Sequence, residues 1–138
     1  MNIQRWTIAS IAVLAVLFAL EFVIHGVLLQ GIYQQTASVW RPMEDMNRLM
    51  WMIWLSYAIV AVFFTLIYAQ GYEQRKAGAP QGMRYGLYLG VLMGASMSLG
   101  TYAMLPIPGA LAFYWFIGSV VEYIAAGAVV GWIYRREA

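Results

Sequence analysis

Apolar residues fill four stretches of this chain, 6–29, 49–69, 85–105 and 110–134, and polar residues gather in the gaps between them. Within each stretch the apolar positions run round all sides of a helix instead of along one stripe. That is the pattern of a segment whose surroundings are themselves apolar. A hydrocarbon core of about 30 Å takes about 20 helical residues to cross, and each stretch meets that length. Barrel strands would alternate polar and apolar positions over segments of about ten residues, which these stretches do not. The pattern predicts an all-α integral membrane protein with four transmembrane helices in an up-down bundle, forming a single four-span domain over residues 1–138. The first stretch is too long for the apolar part of a secretory signal. It has only Arg5 ahead of it and no small-residue cleavage pattern before Gln30.

The gaps differ in length and chemistry. Residues 71–83, GYEQRKAGAPQGM, read as a polar turn, and the two prolines of MLPIPG at 104–109 stop the third helix in a tight turn. The first gap, 30–47, is the longest. Pro42 is suited to be a first helical residue there, which sets Glu44 and Asp45 in the first turn, where the helix dipole favours negative charge. Glu44 and Arg48 are four apart, in the favourable orientation for a helical ion pair. The second helix is therefore expected to begin near Pro42, outside the membrane. Residues 31–41 would form a short outer cap, with Trp40, Arg41, Glu44, Asp45 and Arg48 as its polar and aromatic groups.

Composition agrees with the pattern: 63% of the residues are hydrophobic and 10% charged, against about 25% charged in a soluble domain. The absence of Cys excludes disulfides, thiolate-bound metals and thiol catalysis. A net charge of +2 does not make a nucleic-acid surface, because the eight basic residues sit at the ends of the apolar stretches. Arg5, Arg75, Lys76, Arg84, Arg135 and Arg136 fall on one side of the predicted topology, and Arg41 and Arg48 on the other. That bias predicts a multi-pass protein of the cell inner (plasma) membrane with both termini cytoplasmic. Aromatic residues divide in the same way. Trp6, Tyr68, Tyr72, Tyr85, Tyr88, Trp132 and Tyr134 form an expected inner belt, and Tyr33, Trp40, Trp51, Trp54, Tyr102, Tyr114 and Trp115 an outer one.

In the third stretch Gly86, Gly90, Gly94 and Ser98 recur every four residues, and Gly127 and Gly131 do so in the fourth. Such a groove lets another backbone approach closely, which is how helices associate in lipid. It predicts close packing of the third span on the fourth or on a neighbouring protomer, and so a homo-oligomer or a seat among partner membrane subunits.

Two carboxyls, Glu21 and Glu122, fall near the middle of the first and fourth stretches, and His25, the one histidine, stands a turn beyond Glu21. An ionised carboxylate at the bilayer centre costs about 2.5–3.5 kcal/mol on insertion scales, so such residues carry a function or are locked by partners. If the two spans touch, the three groups could relay protons, hold a metal ion through mixed O and N donors, or bind a cation. The structural alternative is a hydrogen-bonded lock between helices. A haem with two histidine ligands would need one from each of two protomers. Met43, Met46, Met50 and Met52 do not share one helix face, which argues against a Cu(I) site. No phosphate loop, zinc-protease pattern or serine elbow is present, so no enzyme class is indicated.

Four short spans with a glutamate in the first resemble the small multidrug resistance transporters, a resemblance that implies a dimer exchanging protons for cations. The chain departs from that architecture in residues 30–47 and in His25, one turn past the glutamate. The leading expectation is transport or conduction of a proton or small cation through Glu21, His25 and Glu122. The alternative is a non-catalytic accessory or scaffolding subunit of a larger membrane complex.

Overall fold

The first helix starts where the side chain of Asn2 accepts the backbone N–H of Arg5 at 3.0 Å, relieving one of the amides that a helix start leaves unbonded. From there α1, Ile3–Glu21, runs through an almost wholly apolar sequence. The structure, a computed structural model, describes residues 2–76 and 78–134. Arg135 and Arg136 of the predicted inner side lie outside the described residues. Beyond Glu21 the helix widens instead of ending. Phe22–Leu28 is π-helical, and the Leu29 N–H reaches five residues back to the Ile24 carbonyl at 2.9 Å. The short α2, Gln30–Gln35, and a 3-10 turn at Ala37–Val39 then form a cap. The remaining helices are α3, Met43–Gly71, α4, Ala79–Met104, and α5, Gly109–Ile133. Four helices are long and apolar enough to cross a membrane, and no strand occurs among the described residues.

Two boundaries and one ion pair need correction. Pro42 precedes α3 instead of opening it, because its backbone is extended (ψ 145°), and Glu44 and Asp45 still fall in the first turn. Glu44 and Arg48 are both exposed and make no ion pair; in water such a pair gains little beyond the rotamer entropy it costs. The middle gap is shorter than 71–83. At Gly78 the backbone takes φ +144°, a conformation natural to glycine, and Pro80 sits in the first turn of α4, where its missing N–H costs nothing.

Helix α5 packs against both α4 and α1, and α1 also packs against α3. At the end that holds the chain termini, the Tyr134 hydroxyl donates to the Asn2 carbonyl at 3.3 Å and the Tyr85 hydroxyl to the Phe64 carbonyl at 2.7 Å. Between these contacts and mid-bundle lies a dry core that includes Ala9, Val13, Leu17, Phe64, Ala126 and Val130. A smaller core of Leu29, Ile107, Leu111, Ala112 and Trp115 closes the opposite, cap end. Trp115, expected at headgroup level, is buried at 7% exposure, whereas Trp51 and Trp54 are exposed.

The α4–α5 seam is backbone against backbone. A Cβ added at Gly82 would strike the Gly127 carbonyl, one at Gly86 the Tyr123 carbonyl, and one at Gly90 would stand 2.8 Å from the Val120 Cα. Gly127 and Gly131 meet the carbonyls of Gly82 and Gly78 in the same way, and Ser98 continues the buried face. Gly82 belongs to this series but was hidden by placing residues 71–83 in a turn. Its spacing of four from Gly86 was the available signal.

Candidate functional site

The fold brings Glu21, His25 and Glu122 together: one ligand atom from each lies within 4.8 Å of the other two. Glu21 is the last residue of α1, His25 lies in the π-helical turn that follows, and Glu122 is midway along α5. At 1.5 Å per residue Glu122 is about 20 Å from one end of α5 and about 17 Å from the other. Gly118, one turn before Glu122, explains why α1 comes so close to α5. A Cβ there would stand 3.3 Å from the Ile24 side chain, which presses onto the gap that the glycine leaves.

Glu122 is 6% exposed, and its Oε1 has no hydrogen-bond partner. The carboxyl hydrogen-bonds that of Glu21, but a buried oxygen left unpaired costs about 1–3 kcal/mol, and more when it carries charge. Glu21 and His25 are less buried, and His25 Nε2 stands 3.4 Å from Glu21 Oε2. The Tyr57 hydroxyl of α3 faces the Glu21 carboxyl from the third side.

From His25 the polar chain continues outward. Its Nδ1 is 2.5 Å from the Tyr33 hydroxyl, and the Tyr33 oxygen accepts the Trp115 indole N–H at 2.7 Å. With one lone pair used by Trp115, the Tyr33 O–H is free to donate to His25 Nδ1. His25 then carries its proton on Nε2, facing Glu21. Tyr33 also stacks on the His25 ring, with centroids 6.0 Å apart, and meets Trp40 edge-on. Burial pushes the Tyr33 hydroxyl up to about 12, so at neutral pH it stays a hydroxyl.

A cavity of about 630 Å³ opens beside this chain at the cap end, with His25, Gln30, Tyr33, Trp40, Arg41 and Met46 among its walls. On the other side of the cluster the path is closed by Leu17 and Val13 of α1 and Ala126 and Val130 of α5, all at most 1% exposed. The next polar contact in that direction is the buried pair Ser10 and Thr65, whose hydroxyl oxygens are 2.6 Å apart. Of the cluster, His25 thus borders the cap cavity, while the opposite side is packed with apolar side chains.

Of the cap residues singled out from the sequence, Trp40 packs into this site and Arg41 lines the cavity, while Glu44, Asp45 and Arg48 face outward. Gly86, Gly90, Gly94, Gly127 and Gly131 lie in the α4–α5 seam, apart from the cluster. Sequence reading missed Tyr33, Tyr57 and Trp115 as neighbours of the cluster. Trp115 was detectable, because it stands seven residues before Glu122 and so on the same face of α5. Tyr33 and Tyr57 reach the site through the turn at Leu29 and through α3, which no periodicity encodes.

A second polar patch lies at the terminal end. Glu73 pairs with Lys76 at 2.8 Å and with Arg84 at 3.6 Å. The Lys76 ammonium, with a smaller part from Arg84, holds the exposed Glu73 carboxyl below its usual range.

No protein-family model, curated protein or solved structure matches the chain.

Proposed function

We propose that this protein carries a proton or another small cation across the cell inner membrane through Glu21, His25 and Glu122. In this reading the bundle is up-down with the cap outside and both termini cytoplasmic. Arg5, Arg75, Lys76 and Arg84 flank the terminal ends of α1, α3 and α4, while the cap end holds Arg41 and Arg48, the asymmetry that sets orientation. Four helices enclose little volume, so the working unit is an oligomer.

The observation that carries the proposal is the convergence of two carboxyls and one imidazole, with one carboxylate oxygen buried and unpaired, at the depth where lone charge is most costly. A cation or proton held between the carboxylates removes that cost. The cap cavity supplies it. For a proton, the Tyr33 oxygen takes it up as the Tyr33 O–H passes to His25 Nδ1 and the His25 Nε2–H passes to Glu21; Tyr33 and His25 end neutral, and a turn of the imidazole returns His25 to its starting tautomer for the next proton. Release to the opposite side requires Leu17 and Val13 to part from Ala126 and Val130. Closed access on one side at a time is what separates a carrier from an open pore.

Flux into proteoliposomes, read with a pH-sensitive dye and with monovalent and divalent cation indicators, is the test. Glu21→Gln and Glu122→Gln should each abolish it while the protein still extracts as a monodisperse particle. Unchanged flux in both variants would end the proposal.

A further inference from the structure

The structure assigns to Glu21, His25 and Glu122 a binding site for one divalent first-row transition-metal ion, reached from the cap cavity. This assignment rests on the reading of the cluster as a cation site and narrows the cation to a class. Three features point there. The donors are mixed, two carboxylate oxygens and an imidazole nitrogen, the set that suits Zn²⁺, Fe²⁺ or Mn²⁺. The Oε1 of Glu122 is more than nine-tenths buried with no protein partner, so the fold leaves a strong donor empty at this place. Two carboxylates, a neutral imidazole and a divalent ion sum to zero charge, which is the state a hydrocarbon interior tolerates best.

The geometry is within reach of binding. Ligands about 2.1 Å from a tetrahedral ion stand roughly 3.4 Å from one another. The three donor atoms, now within 4.8 Å, close that difference by rotation of the two glutamate side chains. His25 has the outer-shell contact that metal-bound histidines carry: with the ion on Nε2 the imidazole takes its other tautomer, in which Nδ1–H donates to the Tyr33 oxygen and the Tyr33 O–H turns away. Glu21 has the same from the Tyr57 hydroxyl. The cavity beside His25 and Tyr33 offers room for water or an exchanging ligand as the fourth donor. Other divalent ions fit less well. Ca²⁺ takes six to eight oxygens, and Mg²⁺ prefers an octahedral set of oxygens and waters to an imidazole nitrogen.

The full-length protein in lipid nanodiscs, dialysed against Zn²⁺ or Co²⁺ alone, reads this out. One ion per chain is expected, with the absorption of tetrahedral Co²⁺. Glu122→Gln and His25→Gln should each weaken binding about 100-fold or more, and Tyr33→Phe about 10–100-fold, with thermal melts verifying that each variant is folded. Mg²⁺ in excess should not displace Zn²⁺. Absence of stoichiometric binding in the unsubstituted protein, or binding unchanged in both Glu122→Gln and His25→Gln, overturns the assignment. Proton flux that depends on Glu21, with no metal bound, leaves the transport reading standing and removes the metal. Bound metal with flux of neither metal nor protons keeps the site and removes transport.

Discussion

Helix α5 has two working faces, and they are opposites. Toward α4 it shows glycines, so that two backbones touch and no side chain has room to choose a position. Toward α1 it shows Glu122, a buried carboxyl with one oxygen unpaired. Close glycine packing gives many small dispersion contacts and leaves no alternative arrangement. A polar seam has two, with its charge met or unmet. One helix therefore both anchors the bundle and holds the carboxyl of the polar cluster, with the rigid glycine face fixing where that carboxyl sits.

The largest expected effect comes from filling the rigid face. Gly82→Leu and Gly127→Leu should separate α4 from α5 and leave no folded particle, as judged by size-exclusion chromatography and protease resistance. Even Gly86→Ala should cost about 1–3 kcal/mol, because its Cβ meets backbone that cannot yield. Gly100→Ala, on the same helix but with nothing within 4 Å, should be neutral or stabilising by up to about 1 kcal/mol. Equal losses at Gly86 and Gly100 would show that contact with α5 does not set the cost at Gly86.

On the polar face the expected sign reverses. Glu122→Leu should raise the melting temperature, by the equivalent of about 1–3 kcal/mol, while abolishing cation flux, because a buried unpaired oxygen is replaced by a packing side chain. A variant that loses both stability and flux would show that Glu122 holds the helices together instead. Tyr33→Phe comes next. It breaks hydrogen bonds to His25 and Trp115, each worth about 1 kcal/mol net, and should slow proton uptake without changing the oligomer. The smallest effect belongs to Glu73. Its carboxyl is held low by Lys76 and then Arg84. Its stabilisation is therefore present above the ordinary carboxylate range and fades as pH falls through its lowered folded value. In Glu73→Gln the acid limb of a melting-temperature titration should flatten slightly, with neutral-pH stability almost unchanged.

Much of the bundle was legible in the chain because its solvent leaves a one-dimensional mark. Apolar length sets the four spans, and Gly86, Gly90, Gly94 and Ser98 mark a packing face by spacing alone. The start of α4 was misread because a stretch rich in glycine and proline looks like a turn, although Gly78 and Pro80 open the helix. Glu21 and His25 could be paired from their spacing. Glu122, 97 residues after His25 in the sequence, could be proposed as a neighbour only if two helices touched.

The sequence by itself determined four apolar helices, the glycine stripe and the list of ionisable groups within the spans, because helix period and hydrophobicity are local properties. Tertiary structure alone decided that α5 serves both seams and that Gly118 admits Ile24. It also decided that Tyr33 bridges His25 and Trp115, and that a cavity reaches the cluster at His25 from the cap end while apolar side chains pack against it on the other side. These are distances between residues far apart in the chain, and they are set by which helix faces pack together.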